Sequence, residues 1–167
     1  SSYRVDVRFD RVNLGALSDA TVTLKDRFSG SASGRIEITA RGAGRAALLS
    51  GLACRGNAEI TNPELRGIVL DSTPPIAADR PASNFRNADA EFTCGAGSVQ
   101  FQKIRLSGET QLEASGSVSF LRDLDLRVKA LPPFVAEKSS RAGQILRLTG
   151  TLESPQITRL DSNAPPR

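Results

Sequence analysis

Residues 112–130, LEASGSVSFLRDLDLRVKA, decide the fold. Leu112, Ala114, Gly116, Val118 and Phe120 alternate with Glu113, Ser115, Ser117 and Ser119. After a short polar break, Leu124, Leu126, Val128 and Ala130 alternate with Asp125, Arg127 and Lys129. Successive side chains of a strand point to opposite faces, so this period of two predicts two strands, each apolar on one side and wet on the other. The break between them is too short for a crossover connection, which makes them antiparallel neighbours in a meander.

The same pattern extends outward on both sides. Upstream, Ala88–Cys94 reads as a strand closed by the tight connection Gly95-Ala96-Gly97. It is followed by Val99, Phe101, Ile104 and Leu106, with a small turn near Lys103. Downstream, Leu131-Pro132-Pro133 ends the run, residues 134–143 are polar and irregular, and Ile145–Leu152 is a further strand. Ser154-Pro155 breaks that strand, and Gln156–Leu160 is a short last one.

In the first half, Tyr3, Val5, Val7 and Phe9 alternate with Arg4, Asp6, Arg8 and Asp10, again a half-buried strand. Residues 16–28 fit either a short helix capped by Ser18 or a second strand favoured by Thr21, Val22 and Thr23. Gly30–Gly34 reads as a Ser/Gly turn and Arg35–Arg41 as a strand. Arg45–Ser50 has good helix formers and no β-branched residue, and predicts one or two helical turns stopped by Gly51. Ala53–Thr61 resumes strand, Asn62-Pro63-Glu64 reads as a turn, and Leu65–Leu70 as another short strand. Residues 71–84, DSTPPIAADRPASN, lack periodicity and read as a surface loop. The expected fold is mainly β: an antiparallel, strongly curved sheet, as an open groove, half-barrel or sandwich, with one or two short helices. It is expected as a single domain over 1–160, its halves joined by the loop at 71–84, with 161–167 a disordered tail.

Composition narrows the function classes. The chain has 167 residues with 39% hydrophobic, enough to bury one core, but only 5% aromatic and neither Met nor Trp. The net charge of +4 is spread along the strands with no run of like charge, which argues against a nucleic-acid partner. There is no His and no paired-Cys motif, so neither a metal nor another cofactor is expected. No apolar stretch reaches the roughly 18 residues that span a bilayer, and no signal peptide is visible. Because strand alternation starts at once, the chain reads as part of a longer or processed protein. Cys54 and Cys94 are either a disulfide or two buried thiols, depending on whether their strands are neighbours.

Catalytic candidates are sparse. Without His, a serine nucleophile needs a Lys base, which leaves Ser139 with Lys138 and Ser107 with Lys103. Carboxylate pairs exist at Glu109 with Glu113 and at Asp123 with Asp125. All of these read better as wet strand faces and turns, so no catalytic residue is assigned and the chain is expected not to be an enzyme. The apolar stripe Val99, Phe101, Leu106, Leu112, Val118, Phe120, Leu124, Leu126 and Val128 is different. An apolar sheet face has to be covered by other strands or by an apolar ligand.

Three segments resemble the AsmA-like C-terminal region of bacterial envelope proteins. Residues 47–70, ALLSGLACRGNAEITNPELRGIVL, match its order of a short Ala/Leu helix, a small residue and Gly, an alternating strand, a turn, and a Leu-Arg-Gly-Ile-x-Leu strand. Residues 84–130 are similar to its run of short strands with a central Gly and a Leu-Asp-Leu phrase. Gly150, Thr151, Leu152 and Pro155 match its closing phrase. Asn62-Pro63-Glu64 stands where the family usually carries Asp-Gly, and the Pro-rich segment 71–84 replaces more helical content. The resemblance implies a periplasmic protein anchored in the inner membrane by a segment outside this chain and involved in outer-membrane biogenesis. It also implies a β-groove for phospholipid, lined by the apolar stripe, with further β modules of the same protein as partners. The alternative is a structural scaffold or adhesion sandwich of the cell envelope with no lipid ligand.

Overall fold

A computed structural model describes residues 2–19, 28–69, 76–108, 111–131 and 145–160. Among these residues ten strands form one antiparallel sheet: β1 (Ser2–Asn13), β2 (Phe28–Arg41), β3 (Leu52–Val69), β4 (Ile76–Asn84), β5 (Asn87–Gly95), β6 (Ser98–Ser107), β7 (Gln111–Ser119), β8 (Leu124–Ala130), β9 (Ile145–Gly150) and β10 (Pro155–Leu160). The order is β1-β2-β3-β5-β6-β7-β8-β9-β10, with β4 paired to β3. This is the mainly β, antiparallel fold the alternation predicts. The sheet curls until β10 comes alongside β4, but no ladder joins those two among the described residues, so it stops short of a barrel.

Among the described residues two short helices accompany the sheet, α1 (Leu14–Asp19) and α2 (Arg45–Ser50). The helical option for the start of 16–28 is the one realised. Ser18 does not cap it: the Asn13 side-chain oxygen accepts from the Ala16 amide at 3.1 Å, and Ser18 lies inside the helix. Residues 20–27 lie outside the described part. Helix α2 occupies the expected span, and the Arg41 amide donates to the Gly51 carbonyl at 3.2 Å, which closes the connection between β2 and β3. Between β5 and β6, Ala96 and Gly97 both have positive φ, 49° and 79°, the backbone of a two-residue type I′ turn.

Four local expectations are corrected. Gly30–Gly34 is not a turn but part of β2, where Ala32 is buried and faces Ile60. Asn62-Pro63-Glu64 is a bulge inside β3: Asn62 has φ 50° and the β2–β3 register slips there. Pro63 removes only a donor that a bulge leaves unused, and its carbonyl accepts from the Phe85 amide at 3.1 Å. Beyond this bulge β3 exchanges its neighbour, from β5 (Cys54–Thr61) to β4 (Glu64–Val69). Residues 76–84 are therefore strand, not loop. Their weak pattern reflects an irregular ladder with a register shift opposite Arg66 and Ile68, and Pro81 is tolerated because, among the described residues, β4 pairs only with β3. The expected turn near Lys103 is also a bulge, with register shifts against both β5 and β7. Residues 70–75, 132–144 and 161–167, including the expected irregular segment and tail, lie outside the described part.

Candidate functional site

The register stacks one face of every strand into continuous rows. One row runs Val7, Ile36, Gly56, Phe92, Phe101, Gly116, Leu126, Leu148 and Ile157, each opposite the next across nine strands. A parallel row runs Val5, Ile38, Cys54, Cys94, Val99, Val118 and Leu124. Side chains directly opposite each other share a face, so the sheet has a single apolar side throughout.

That side is closed at one end and open at the other. Phe85, Ala88, Leu106, Leu112, Ala114, Val128, Leu146 and Leu148 form the buried core, with Ile60, Leu65, Ile104, Leu126 and Ile157 packed against it. Val128 is 3% exposed and Leu112 4%. On β1, by contrast, Tyr3 is 57% and Val5 52% exposed, and Val7 is also exposed. Ile36, Ile38, Phe92, Val99, Phe101 and Val118, between these extremes, are half-buried. The apolar face is thus a trough that its own side chains fill around Ala88, Leu106, Leu112, Val128 and Leu146, that is half-open over Ile36, Ile38, Phe92, Val99, Phe101 and Val118, and that is exposed at β1.

The predicted lining residues divide accordingly. Leu106, Leu112, Leu124 and Val128 are buried. Val99, Phe101, Val118 and Leu126 are half-buried on the same face. Phe120 leaves the pattern: β7 ends at Ser119 and Phe120 sits in the following turn, 55% exposed beside Leu121. Arg122 there has φ 74°, and the Ser119 amide donates to the Asp123 carbonyl at 2.9 Å, closing the turn one residue before the alternation stops. Ile36, Ile38, Val5, Val7 and Phe92 join the trough without having been singled out. Their alternation was visible, but which strands lie side by side was not.

Small residues shape the trough floor. The Phe92 ring lies over Gly56: a Cβ there would come within 2.7 Å of Phe92 Cζ. Phe92 then meets Phe101 with ring centroids 6.1 Å apart and planes tilted by 56°, a favourable aromatic geometry. Phe9 covers Gly34 in the same way. Cys54 and Cys94 face each other across β3 and β5 with Cα atoms 4.7 Å apart and are joined by a disulfide, which staples these two strands within the half-buried part of the trough.

The opposite face is polar and laced with exposed ion pairs. Asp6 holds Arg35 at 2.7 Å and Glu113 lies 3.6 Å from Lys103 and 3.7 Å from Arg105, while outside the strands Arg122 meets Glu153 at 2.7 Å. Arg147 donates twice to Asp125, at 3.0 and 3.1 Å. Those hydrogen bonds, with the charges of Arg147 and Arg127 behind them, hold the Asp125 carboxyl below the usual carboxylate range, and the same bonds with the charge of Asp125 raise Arg147 against a smaller opposing effect of burial. Glu64 is lowered in the same way, chiefly by its hydrogen bond from Arg66. A groove of about 600 Å³ crosses the middle strands, bordered by Arg35, Glu37, Arg55, Asn57 and Glu91.

The candidate catalytic residues are not brought together. Lys103 is engaged with Glu113, and Ser107 is four residues along β6, about 13 Å away at strand rise. Asp123 accepts from the Ser119 hydroxyl at 3.1 Å, and Asp125 is committed to Arg147. Glu109, Lys138 and Ser139 lie outside the described residues. Among the described residues no three His, Cys, Asp or Glu side chains gather as a metal site, and no helix is long and apolar enough to cross a membrane.

No family model matches the chain, and neither does any curated protein or solved structure.

Proposed function

We propose that this chain is a non-catalytic domain of an AsmA-like periplasmic protein that shields phospholipid acyl chains in the apolar trough and thereby serves outer-membrane biogenesis. The protein is anchored in the inner membrane through a segment outside this chain. The observation that carries the reading is the single apolar face continuous from Val7 to Ile157, half-buried at its middle and open at β1. Each acyl methylene laid on such a face gains about 0.8 kcal/mol. The open stretch of Ile36, Ile38, Phe92, Val99, Phe101 and Val118 takes the chain, and the charged head stays at the rim. The Cys54–Cys94 disulfide supports an oxidising compartment.

The test is organic extraction of the purified protein, followed by mass spectrometry for co-purifying phospholipid. The reading expects bound lipid, lost in Phe101→Asp while circular dichroism keeps its β signal. Lipid-free protein that also fails to take up phospholipid from vesicles sinks it. The closed core over β5–β9 favours a second reading, a structural scaffold module whose apolar face is covered by its own chain. In that case Phe101→Asp unfolds the domain and no lipid is found.

A further inference from the structure

We infer that β1 is the contact edge of a two-fold symmetric dimer, in which a second copy of this chain adds its own β1 antiparallel, with Val7 opposite the partner's Val7. The lipid reading does not enter this inference, and either can fail alone.

The edges of the sheet are unequal. β10 is six residues long, begins with Pro155, and lies alongside β4. β1 is twelve residues long, and no described element pairs with its outer side. A long strand with unpaired amides and carbonyls is a template for another strand. Tyr3, Val5 and Val7, the apolar side chains of that edge, are exposed.

The charges on β1 select the partner and the register. Its polar side reads Arg4, Asp6, Arg8, Asp10. Arg8 stands opposite Arg35, a like charge, and Arg35 is held instead by Asp6 at 2.7 Å. Arg8 makes no ion pair with any described residue, so the strand carries one cation that its own sheet does not satisfy. Two copies aligned on Val7 place Arg8 against the partner's Asp6, and Arg4 against the partner's Asp10. The apolar side then sets Val5 against the partner's Phe9, and Tyr3 meets the partner's Arg11 only at the bulged end of each strand. Aligned on Asp6 or on Arg8, every charged pair becomes like against like, which opposes pairing. Registers of the other parity set apolar side chains opposite polar ones. Alignment on Val5 also matches charges, but leaves Arg8 facing the partner's Ser2. The Val7 register therefore satisfies the most charges and joins the two apolar faces into one.

Sedimentation equilibrium over a wide concentration range tests this on the oxidised chain. A reversible dimer is expected. Arg8→Asp weakens it by about tenfold or more by setting carboxylates against the partner's Asp6, while placing an acid opposite Arg35 within its own sheet, so the fold is kept. Combining Asp6→Arg with Arg8→Asp restores the dimer. Both native cysteines are bonded, so an introduced thiol reports position. Val7→Cys cross-links to its mate under mild oxidation, and Val5→Cys, about 13 Å from its mate, does so far more slowly. A monomer at every concentration, a dimer indifferent to Arg8→Asp, or faster cross-linking by Val5→Cys would each overturn the inference.

Discussion

Gly56 sits where a side chain has no room. A Cβ there would meet the Arg35 carbonyl oxygen and the tip of the Phe92 ring, both at 2.7 Å, and the first of these is backbone. Gly56→Val therefore pushes apart β2 and β3 and displaces Phe92 from Phe101, at a cost of about 2–3 kcal/mol. A lower urea midpoint with unchanged slope is the expected reading. Asp125 makes a different prediction, through pH. Its folded carboxyl titrates below the ordinary value, first because Arg147 donates to it. The fold thus favours the ionised form, so its contribution is complete above an unfolded pKa of about 3.9 and is lost as pH falls through the folded value. Glu64 adds to the same acid limb. Asp125→Asn should flatten the fall of the urea midpoint below about pH 4 and leave its pH dependence above about pH 5 unchanged.

At the scale of elements, β3 has the heaviest duty, because it pairs with β2 on one side and with both β5 and β4 on the other. The disulfide ties β3 to β5 and spans 40 residues of sequence. In the chain-entropy account a loop of that length is worth about 4 kcal/mol, so the double variant Cys54→Ser, Cys94→Ser should lose roughly that much in denaturant unfolding, and reduction of the native chain should match it. The elements that the sequence made legible are those whose alternation runs unbroken: β5, β7, β8, and the strand of Tyr3 to Phe9. Helix α2 was legible from propensity alone. Gly30–Gly34, Asn62-Pro63-Glu64 and 76–84 were not, because Gly, Pro and Ser carry turn chemistry locally, yet here the ladder of neighbouring strands overrides it through bulges. Phe120 misled in the opposite sense: it keeps the period of two, but β7 has already ended.

For the whole molecule, the apolar lining was legible as a stripe, whereas its division into filled and open parts was not. Burial depends on how far the sheet curls, and curl arises from bulges and twist rather than from any one strand. The division is testable. Leu112→Asp buries a charge in the filled part and should unfold the domain, whereas Val118→Asp, half-buried toward the open part, should leave it folded. Circular dichroism melts of the two variants make the comparison, and equal damage would contradict the filled-and-open description.

The disulfide also determines how the sheet behaves as a mechanical object. The two terminal strands lie at opposite edges, so tension on the ends of the chain peels β1 and β10 first and unzips inward strand by strand. The residues from Cys54 to Cys94, which include β4, are short-circuited by the covalent link and never feel the load. At about 3.5 Å per residue, the oxidised chain should extend about 140 Å less than the reduced one before going taut, a difference that single-molecule stretching reads directly.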